Sequence, residues 1–228
     1  MNAVYPLCKG SLWENKEIQY SVRSVRKFAP WVKDIWTVGE NVGFNNIPYE
    51  ETQHPAVNIW EKGYLACLDE RISDPFLFIN DDHFFLKEVP EHYPAYYSYH
   101  IADYPFRDSG IKGFEHPYFR LVRHTREILG DVLFYNVHCP FVVHKDKFVE
   151  TFHRYEKEIY SDVGMLVKTT YLQGTDGVQM DDYKTRRGEE LESVRRHCKD
   201  RHIFSTDADI SEGAALFLIE QFGNLESF

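Results

Sequence analysis

The hydrophobic positions in the first third of the chain follow strand-like and helix-like periods in turn. Apolar residues at 3–7 and at 33–40 predict two strands. Between them, the apolar residues from Ile18 to Phe28 recur at helical spacing, behind a helix cap at Asn15. A strand, a helix and a strand in close succession indicate the βαβ unit of a parallel sheet.

The same pattern continues into a central strand. Residues 41–55, rich in Asn, Gly and Pro, predict an irregular surface loop, and the apolar residues of 57–72 predict a second helix. Residues 76–79 are apolar without interruption, which is typical of a strand buried on both faces of a sheet. The order β-α-β-loop-α-β therefore predicts a Rossmann-like, nucleotide-binding half.

The second half of the chain has a less regular pattern. Prolines interrupt the Tyr- and His-rich segment 90–118, which predicts either a loop over a functional site or a rigid packed connection. Residues 134–143 predict a bend that enters a strand, and residues 202–206 predict a last strand. Helices are predicted at 121–129, 145–160, 162–172 and 211–222.

The polar side chains that follow the central strand carry candidate chemistry. Asn80, Asp81, Asp82 and His83 stand at its carboxyl end, where open α/β sheets bind ligands. Adjacent carboxylates repel each other unless a cation lies between them, and hard divalent ions take carboxylate oxygens together with substrate phosphates. The motif predicts a metal site that holds a diphosphate. The alternative is an Asn-Asp turn whose carboxylates cap a helix.

Further candidates lie in the second half of the chain. His138 precedes Pro140 by two residues, and the extended conformation before a proline fixes the direction of the chain there. Asp207 and Asp209 follow the predicted last strand, so they too are acids at a strand's carboxyl end. These side chains are candidates for a catalytic base or for a share in the same metal site.

Composition and charge narrow the class of protein. The chain has 228 residues, of which 43% are hydrophobic and 16% aromatic, and this is enough for one domain with a large hydrophobic core. The formal net charge of −10 argues against a surface that grips nucleic acid as a whole, although it leaves room for a local basic groove. Residues 184–201 hold a cluster of Lys and Arg diluted by Glu and Asp, which predicts a solvated helix face or a groove for phosphates.

Cysteine usage and targeting signals suggest the compartment. The 4 cysteines are scattered without a CxxC pair, so reduced thiols in a cytosolic protein are expected. The amino terminus lacks the charged and apolar regions of a signal peptide, and no apolar stretch approaches the roughly 20 residues of a membrane helix. We expect a soluble cytoplasmic protein.

Two blocks of sequence resemble a known family. Residues 16–38, KEIQYSVRSVRKFAPWVKDIWTV, are similar to the Stealth-protein pattern ELRYSLRSIEKYAPWIRHIYIVT, and residues 78–85, FINDDHFF, are similar to YINDDFFF. Residues 5–17, YPLCKGSLWENKE, resemble the opening YPLxxGSxWxNxE of short bacteriophage glycosyltransferases, which also share NDDHFF. His138-Cys139-Pro140 fits the His-x-Pro of the third Stealth region locally, whereas Asn2 stands where that family carries an acid.

The resemblance implies a GT-A-like α/β fold over 1–228, with a nucleotide-sugar-binding half (1–89) and an acceptor-side half (90–228). It implies transfer of a sugar, expected from a UDP-sugar, to a hydroxyl acceptor with Mg²⁺ or Mn²⁺ as cofactor. The acceptor would be a hydroxymethylated base in phage DNA, or a glycan or small molecule. The alternatives are Stealth-type transfer of sugar-1-phosphate to a glycan, a non-catalytic module that binds nucleotide sugar or metal, and a metal-dependent hydrolase that releases free sugar without an acceptor. If a bacteriophage encodes the protein, we expect it in the host cytoplasm.

The resemblance also assigns candidate roles to residues. The metal would be held by Asp81, Asp82 and His83. The catalytic candidates are Asp82, His138, Asp207 and Asp209. The nucleotide and its phosphates would be contacted by Leu7, Lys9, Gly10, Asn15, Arg23, Asn80 and Asp81.

Overall fold

The computed structural model describes residues 1–9, 13–51, 54–104, 116–207 and 210–225. In chain order, the strands of this part of the chain are β1 (Asn2–Leu7), β2 (Ile35–Gly39), β3 (Asn45–Ile47), β4 (Phe76–Phe78), β5 (His83–Phe85), β6 (Ala95–Tyr97), β7 (Phe141–Val143), β8 (Gly177–Gln179) and β9 (Ile203–Ser205). The α-helices are α1 (Lys16–Phe28), α2 (Pro55–Leu68), α3 (Pro117–Leu129), α4 (Lys145–Arg154), α5 (Glu156–Ile159), α6 (Val167–Tyr171), α7 (Leu191–Cys198) and α8 (Glu212–Phe222).

A mostly parallel sheet lies at the centre, with the strand order β3-β2-β1-β4-β7. The strand β1 is parallel to both β2 and β4, as the predicted βαβ unit requires, and β7 is antiparallel to β4. Alternate residues of β1 pack on opposite faces: Val4 lies in one apolar cluster with Trp60 of α2, and Tyr5 lies in another with Ile18 of α1. Burial on both faces explains the unbroken apolar runs.

The predicted irregular loop at 41–55 is partly wrong, because it contains the edge strand β3. Because most of its side chains are polar, this strand lacks the apolar periodicity that predicts a strand. It pairs in parallel with β2, and the Asn46 amide donates to Thr37 Oγ1 at 2.8 Å. An edge strand with a polar face is stabilised by backbone pairing and such side-chain bonds rather than by an apolar stripe.

The acidic motif lies in a turn between two strands of different sheets. After β4, residues 79–82 form the turn, and β5 then pairs antiparallel with β9 in a small second sheet. A strand follows the turn, so the alternative in which the two carboxylates cap a helix is wrong. The predicted last strand at 202–206 is confirmed as β9.

Three other predicted elements need correction in the second half. The segment 90–118 contains β6, which pairs with β8, and its residues 105–115 lie outside the described part of the chain. The predicted helix 145–160 is two helices, α4 and α5, that meet at Tyr155. The predicted helix 162–172 is only α6, because Gly164 has a positive φ of 77° and the chain turns there before Val167.

Within the described residues, no helix is long and apolar enough to cross a membrane. The cysteines are free thiols: Cys8 is exposed, and Cys67, Cys139 and Cys198 are buried.

Candidate functional site

The sheet topology brings the predicted site residues to one edge. Because β1 and β4 are parallel, their carboxyl ends lie together, and the amide of Ile79 donates to the carbonyl of Val4 at 3.0 Å. Because β7 is antiparallel to β4, with Phe78 opposite Phe141, the residues that lead into β7 arrive at that same edge. The segment around His138 therefore lies beside the acidic turn.

Two buried serines of helix α1 form hydrogen bonds with β5, the strand that directly follows this turn. Ser21 Oγ donates to the carbonyl of His83 at 2.6 Å, and it also lies 3.0 Å from Tyr5 Oη. Ser24 Oγ accepts from the amide of Phe85 at 3.0 Å. These bonds attach β5 to α1, so the position of the carboxylates relative to β1 is fixed by buried polar contacts.

A lysine bridges two of the acids. Pairing of β5 with β9 brings the segment after β9 to the turn, and the amide of Thr206 donates to the carbonyl of Asp82 at 3.2 Å. Lys184 pairs with Ser205 in an isolated parallel β-bridge. Its Nζ lies 3.6 Å from both Asp82 Oδ2 and Asp207 Oδ1. The structure therefore brings Asp82 and Asp207 together, as the sequence predicted. The cation between them, Lys184, was not singled out in the sequence.

The carboxylates of the turn are electrostatically strained. Burial raises the pKa of Asp81, and the neighbouring negative charges of Asp82 and Glu17 raise it further, to about 7. Burial also raises the pKa of Asp82, against the opposing charges of Lys184 and His138. Asp82 Oδ1 is buried without a hydrogen-bond partner among the described residues. Such a group is stabilised by a cation, so the turn fits a divalent metal ion.

The turn alone does not form a complete metal site. Among the described residues, no group of three or more His, Cys, Asp or Glu side chains is arranged to hold a metal ion. His83 is 2% exposed, and its Nε2 lies 3.6 Å from Asp82 Oδ1. Burial and the charges of Lys168 and His138 hold the pKa of His83 well below its usual value, so this imidazole is neutral. Mg²⁺ is commonly held by one or two carboxylates, with substrate phosphates and water completing the shell.

His138 forms a pair with an aspartate that the sequence analysis missed. Its Nδ1 lies 2.6 Å from Asp182 Oδ2, and its backbone amide donates to Asp182 Oδ1 at 3.0 Å. Burial on its own raises the pKa of Asp182, but the hydrogen bonds and charge of His138 outweigh it, and the pKa lies below its usual value. An ionised Asp182 fixes the proton on Nδ1, which makes Nε2 the nitrogen able to accept a proton.

Lys168 holds the segment that carries His138. Its Nζ donates to the carbonyl of Val137 and, at 2.8 Å, to the carbonyl of Cys139. Burial lowers the pKa of Lys168, although the nearby Cys139, Asp182 and Asp82 oppose that shift. The lysine thus fixes both residues that flank His138.

Two cavities meet at His138. One, of about 450 Å³, extends from Asp82 and Lys168 between the first turns of α2 and α3. The other, of about 600 Å³, is lined by Tyr99, Tyr104 and other aromatic residues together with Asp182 and Asp207. A concave site with a few convergent polar groups and perturbed carboxylates is the usual form of a ligand site.

The remaining predicted residues have different outcomes. The Leu7 carbonyl accepts from the buried Lys62 Nζ at 2.9 Å, and the Asn15 amide donates to Glu40 Oε2 at 3.1 Å, both at the carboxyl edge of β1 and β2. Lys9 and Asn80 are exposed near this edge. Gly10 and Asp209 lie outside the described residues.

Arg23 is a correction to the predicted phosphate contacts. Its Nη1 donates to the carbonyls of Phe222, Gly223 and Asn224 at 2.8, 3.0 and 3.1 Å. The guanidinium therefore attaches α1 to the end of α8 instead of facing the acidic turn. Its place in the middle of α1, well beyond the helix's first turn, explains why it does not reach the sheet edge.

Sequence reasoning missed Asp182, Lys184 and Lys168. Lys184 belongs to the basic segment 184–201, which was expected to form a helix face or a phosphate groove, but α7 begins only at Leu191. The pair Asp181-Asp182 is the second pair of adjacent aspartates in the chain, after Asp81-Asp82, and this is the one signal that could have drawn attention to the segment. Lys168 carries no pattern of its own.

Comparisons with known proteins bear on the fold. No protein-family model matches this sequence, and no curated protein matches it. The structure is similar to a crystal structure of the galactosyltransferase LgtC in complex with donor and acceptor sugar analogs, with a TM-score of 0.50 and 10% sequence identity. The similarity covers 99% of this chain and 97% of that chain. The fold is therefore the GT-A-like α/β fold predicted from the sequence.

Proposed function

We propose that this protein is a glycosyltransferase that moves a sugar from a nucleotide diphosphate sugar, expected to be a UDP-sugar, to a hydroxyl acceptor. The observation that carries the proposal is the acidic turn at the carboxyl edge of the sheet, with the His138–Asp182 pair beside it. GT-A-like architecture supports it, because LgtC has this fold and was crystallised with donor and acceptor sugar analogs. The half 1–89 would bind the nucleotide, and 90–228 would bind the acceptor.

The metal would be Mg²⁺ or Mn²⁺, held by Asp82 and Asp81, with the neutral His83 as a further candidate ligand. When bound, it would supply positive charge that stabilises the leaving diphosphate. Leu7, Lys9 and Asn15 would contact the nucleotide at the end of β1, as the resemblance to bacteriophage glycosyltransferases implies. Lys184 carries a second positive charge to the same place.

His138 would be the base. Its Nε2 would take the proton of the acceptor hydroxyl while that oxygen bonds to the anomeric carbon and the bond from the sugar to the diphosphate breaks. Asp182 would stabilise the imidazolium that results. Asp207 is a weaker candidate for the base, because its carboxylate is already engaged by Lys184, whose Nζ lies 3.6 Å from Asp207 Oδ1.

Stealth-type transfer of sugar-1-phosphate is the second candidate, and His138-Cys139-Pro140 favours it. In that reaction the acceptor oxygen attacks the β-phosphorus, and the bond between the two phosphates breaks. The product then shows the mechanism: sugar transfer releases a nucleoside diphosphate, whereas sugar-1-phosphate transfer releases a nucleoside monophosphate. A non-catalytic module would bind the nucleotide sugar and release neither.

Phage DNA as acceptor finds less support. Three cations of the basic segment are partnered within the protein: Lys184 with Asp82, Arg195 with Glu220, and Arg201 with Asp181. Together with a net charge of −10, these internal ion pairs argue against a basic surface that follows a phosphate backbone. A glycan or a small-molecule alcohol is the acceptor that we favour.

The experiment is chromatography of the nucleotides released from UDP-glucose, UDP-galactose and UDP-N-acetylglucosamine with Mn²⁺, in the presence and absence of a small-molecule alcohol as acceptor. UDP release that does not depend on the alcohol would indicate a hydrolase. Release of UDP by the wild type, reduced about a hundredfold in His138→Ala, supports the proposal. Release of UMP would move the assignment to sugar-1-phosphate transfer. Binding without release of either would leave the non-catalytic module. Asp200→Asn, an exposed acid away from the turn, serves as the control.

A further inference from the structure

The cavity of about 450 Å³ beside His138 has a largely apolar lining. Phe78 and Phe141, at the facing ends of β4 and β7, contribute to it together with Ile59, Leu121 and Val167. Asp82, His138 and Lys168 also line it, so a ligand in this cavity meets both an apolar surface and the proposed catalytic groups.

Away from Asp82 and His83, several polar atoms of the lining are already engaged within the protein. The Asn136 amide donates to Tyr118 Oη at 2.8 Å. His54 and His116 each accept through Nδ1 from a backbone amide in the first turn of their helices, at 3.3 Å. Lys168 Nζ is engaged by two backbone carbonyls. The walls therefore offer few partners to a ligand that carries polar groups around its whole surface.

This lining selects among acceptor alcohols. A hexose presents hydroxyl groups on every side, and each one buried against these walls without a partner would cost free energy. An alcohol on an apolar body gains from burial along the walls, while its hydroxyl reaches the polar groups beside His138. The volume of about 450 Å³ is within the range of small-molecule sites.

We propose that the acceptor of this enzyme is an alcohol carried on an apolar, ring-sized body rather than a free sugar. The inference rests on the proposed function, because it requires that His138 marks the acceptor end of the cavity. The apolar body lies between α2 and α3, and the hydroxyl points toward Nε2 of His138. The walls thus determine acceptor specificity, separately from the acidic turn that binds the donor.

The test compares benzyl alcohol with methyl α-glucoside, which both carry a primary hydroxyl, in ligand-observed NMR titrations of the full chain with UDP and the diamagnetic Mg²⁺. We expect benzyl alcohol to bind about tenfold more tightly than the glucoside. Leu121→Asn should weaken benzyl alcohol about fivefold, because it makes one wall polar. Ile128→Asn, on the exposed side of the same helix, should leave both affinities unchanged.

A second variant protects the test against misfolding. Val167→Thr keeps the size of the side chain and places a hydroxyl in the wall, so it should also weaken benzyl alcohol. Tighter or equal binding of the glucoside, or unchanged benzyl alcohol affinity in both variants, would overturn the proposal. UDP affinity measured in the same samples separates the two claims: if it is intact, only the acceptor assignment fails, and if UDP does not bind the wild type, both fail.

Discussion

Asp182 and Lys184 give the candidate site its charge arrangement, although neither stood out in the sequence. Asp182 positions His138 through two hydrogen bonds, one with Nδ1 of the imidazole and one with the backbone amide. Lys184, two residues further on, lies between the carboxylates of Asp82 and Asp207. One short segment thus places a positioning anion beside the candidate base and a cation beside the candidate metal ligands. Each residue has its own testable consequence.

Asp182→Asn should lower kcat about ten- to hundredfold with little change in KM for the donor, because the imidazolium loses its counter-charge. The folded-state pKa of Asp182 is lowered, so its contribution to stability is present above the unfolded value of about 4 and is lost as pH falls through the folded pKa. The difference in Tm between wild type and variant should therefore be largest near neutral pH and shrink below about pH 4. An unchanged kcat would contradict the role of Asp182.

Lys184→Met should tighten Mn²⁺ binding about three- to tenfold in the absence of nucleotide, as measured by electron paramagnetic resonance. The reason is that the ammonium and the metal ion compete for the Asp82 carboxylate. Lys184→Arg keeps the charge and should resemble the wild type. Arg186→Met removes a nearby exposed charge and serves as the control for long-range effects. An unchanged or weaker Mn²⁺ affinity in Lys184→Met would show that no such competition exists.

At the scale of elements, the sequence predicted the central strands and the acidic turn well, because burial on both faces leaves an apolar run that ends abruptly at Asn80. It predicted less where contacts rather than periodicity form the element. The strand β3 is polar, and β6 and β8 are short and form a two-stranded sheet with each other. The meeting of His138 with Asp182, and the antiparallel entry of β7, depend on long-range pairing that no local pattern encodes.

The hydrogen bonds between α1 and β5 give a prediction at this scale. Ser21→Ala should lower the free energy of unfolding by about 1–3 kcal/mol, because it leaves the buried His83 carbonyl and Tyr5 hydroxyl without this partner. Urea denaturation measures the change. Ser193→Ala, which removes a more exposed bond to Glu189 at 2.8 Å, should cost less. An equal decrease in the free energy of unfolding in the two variants would mean that the buried bonds of Ser21 stabilise the protein no more than an exposed bond does.

At the scale of the whole molecule, the fold separates two tasks along one sheet edge. The ends of β1, β2 and β4 face the proposed donor site, and the entry to β7 with the first turns of α2 and α3 faces the proposed acceptor cavity. Asp82 lies at the boundary between them. Because this position belongs to the folded chain, binding of the donor there would stabilise the folded state as a whole. A ligand that binds only the folded state raises Tm in proportion to its occupancy.

The most direct test of the central claim is a thermal-shift measurement with UDP, with and without Mn²⁺, on the wild type and Asp82→Asn. We predict a rise in Tm for the wild type that requires the metal, and no rise for Asp82→Asn. The variant alone should remain folded, because burial raises the pKa of Asp82 and a neutral side chain removes the strain. No metal-dependent shift with UDP or any other nucleoside diphosphate, or an equal shift in the variant, would contradict the proposed donor site.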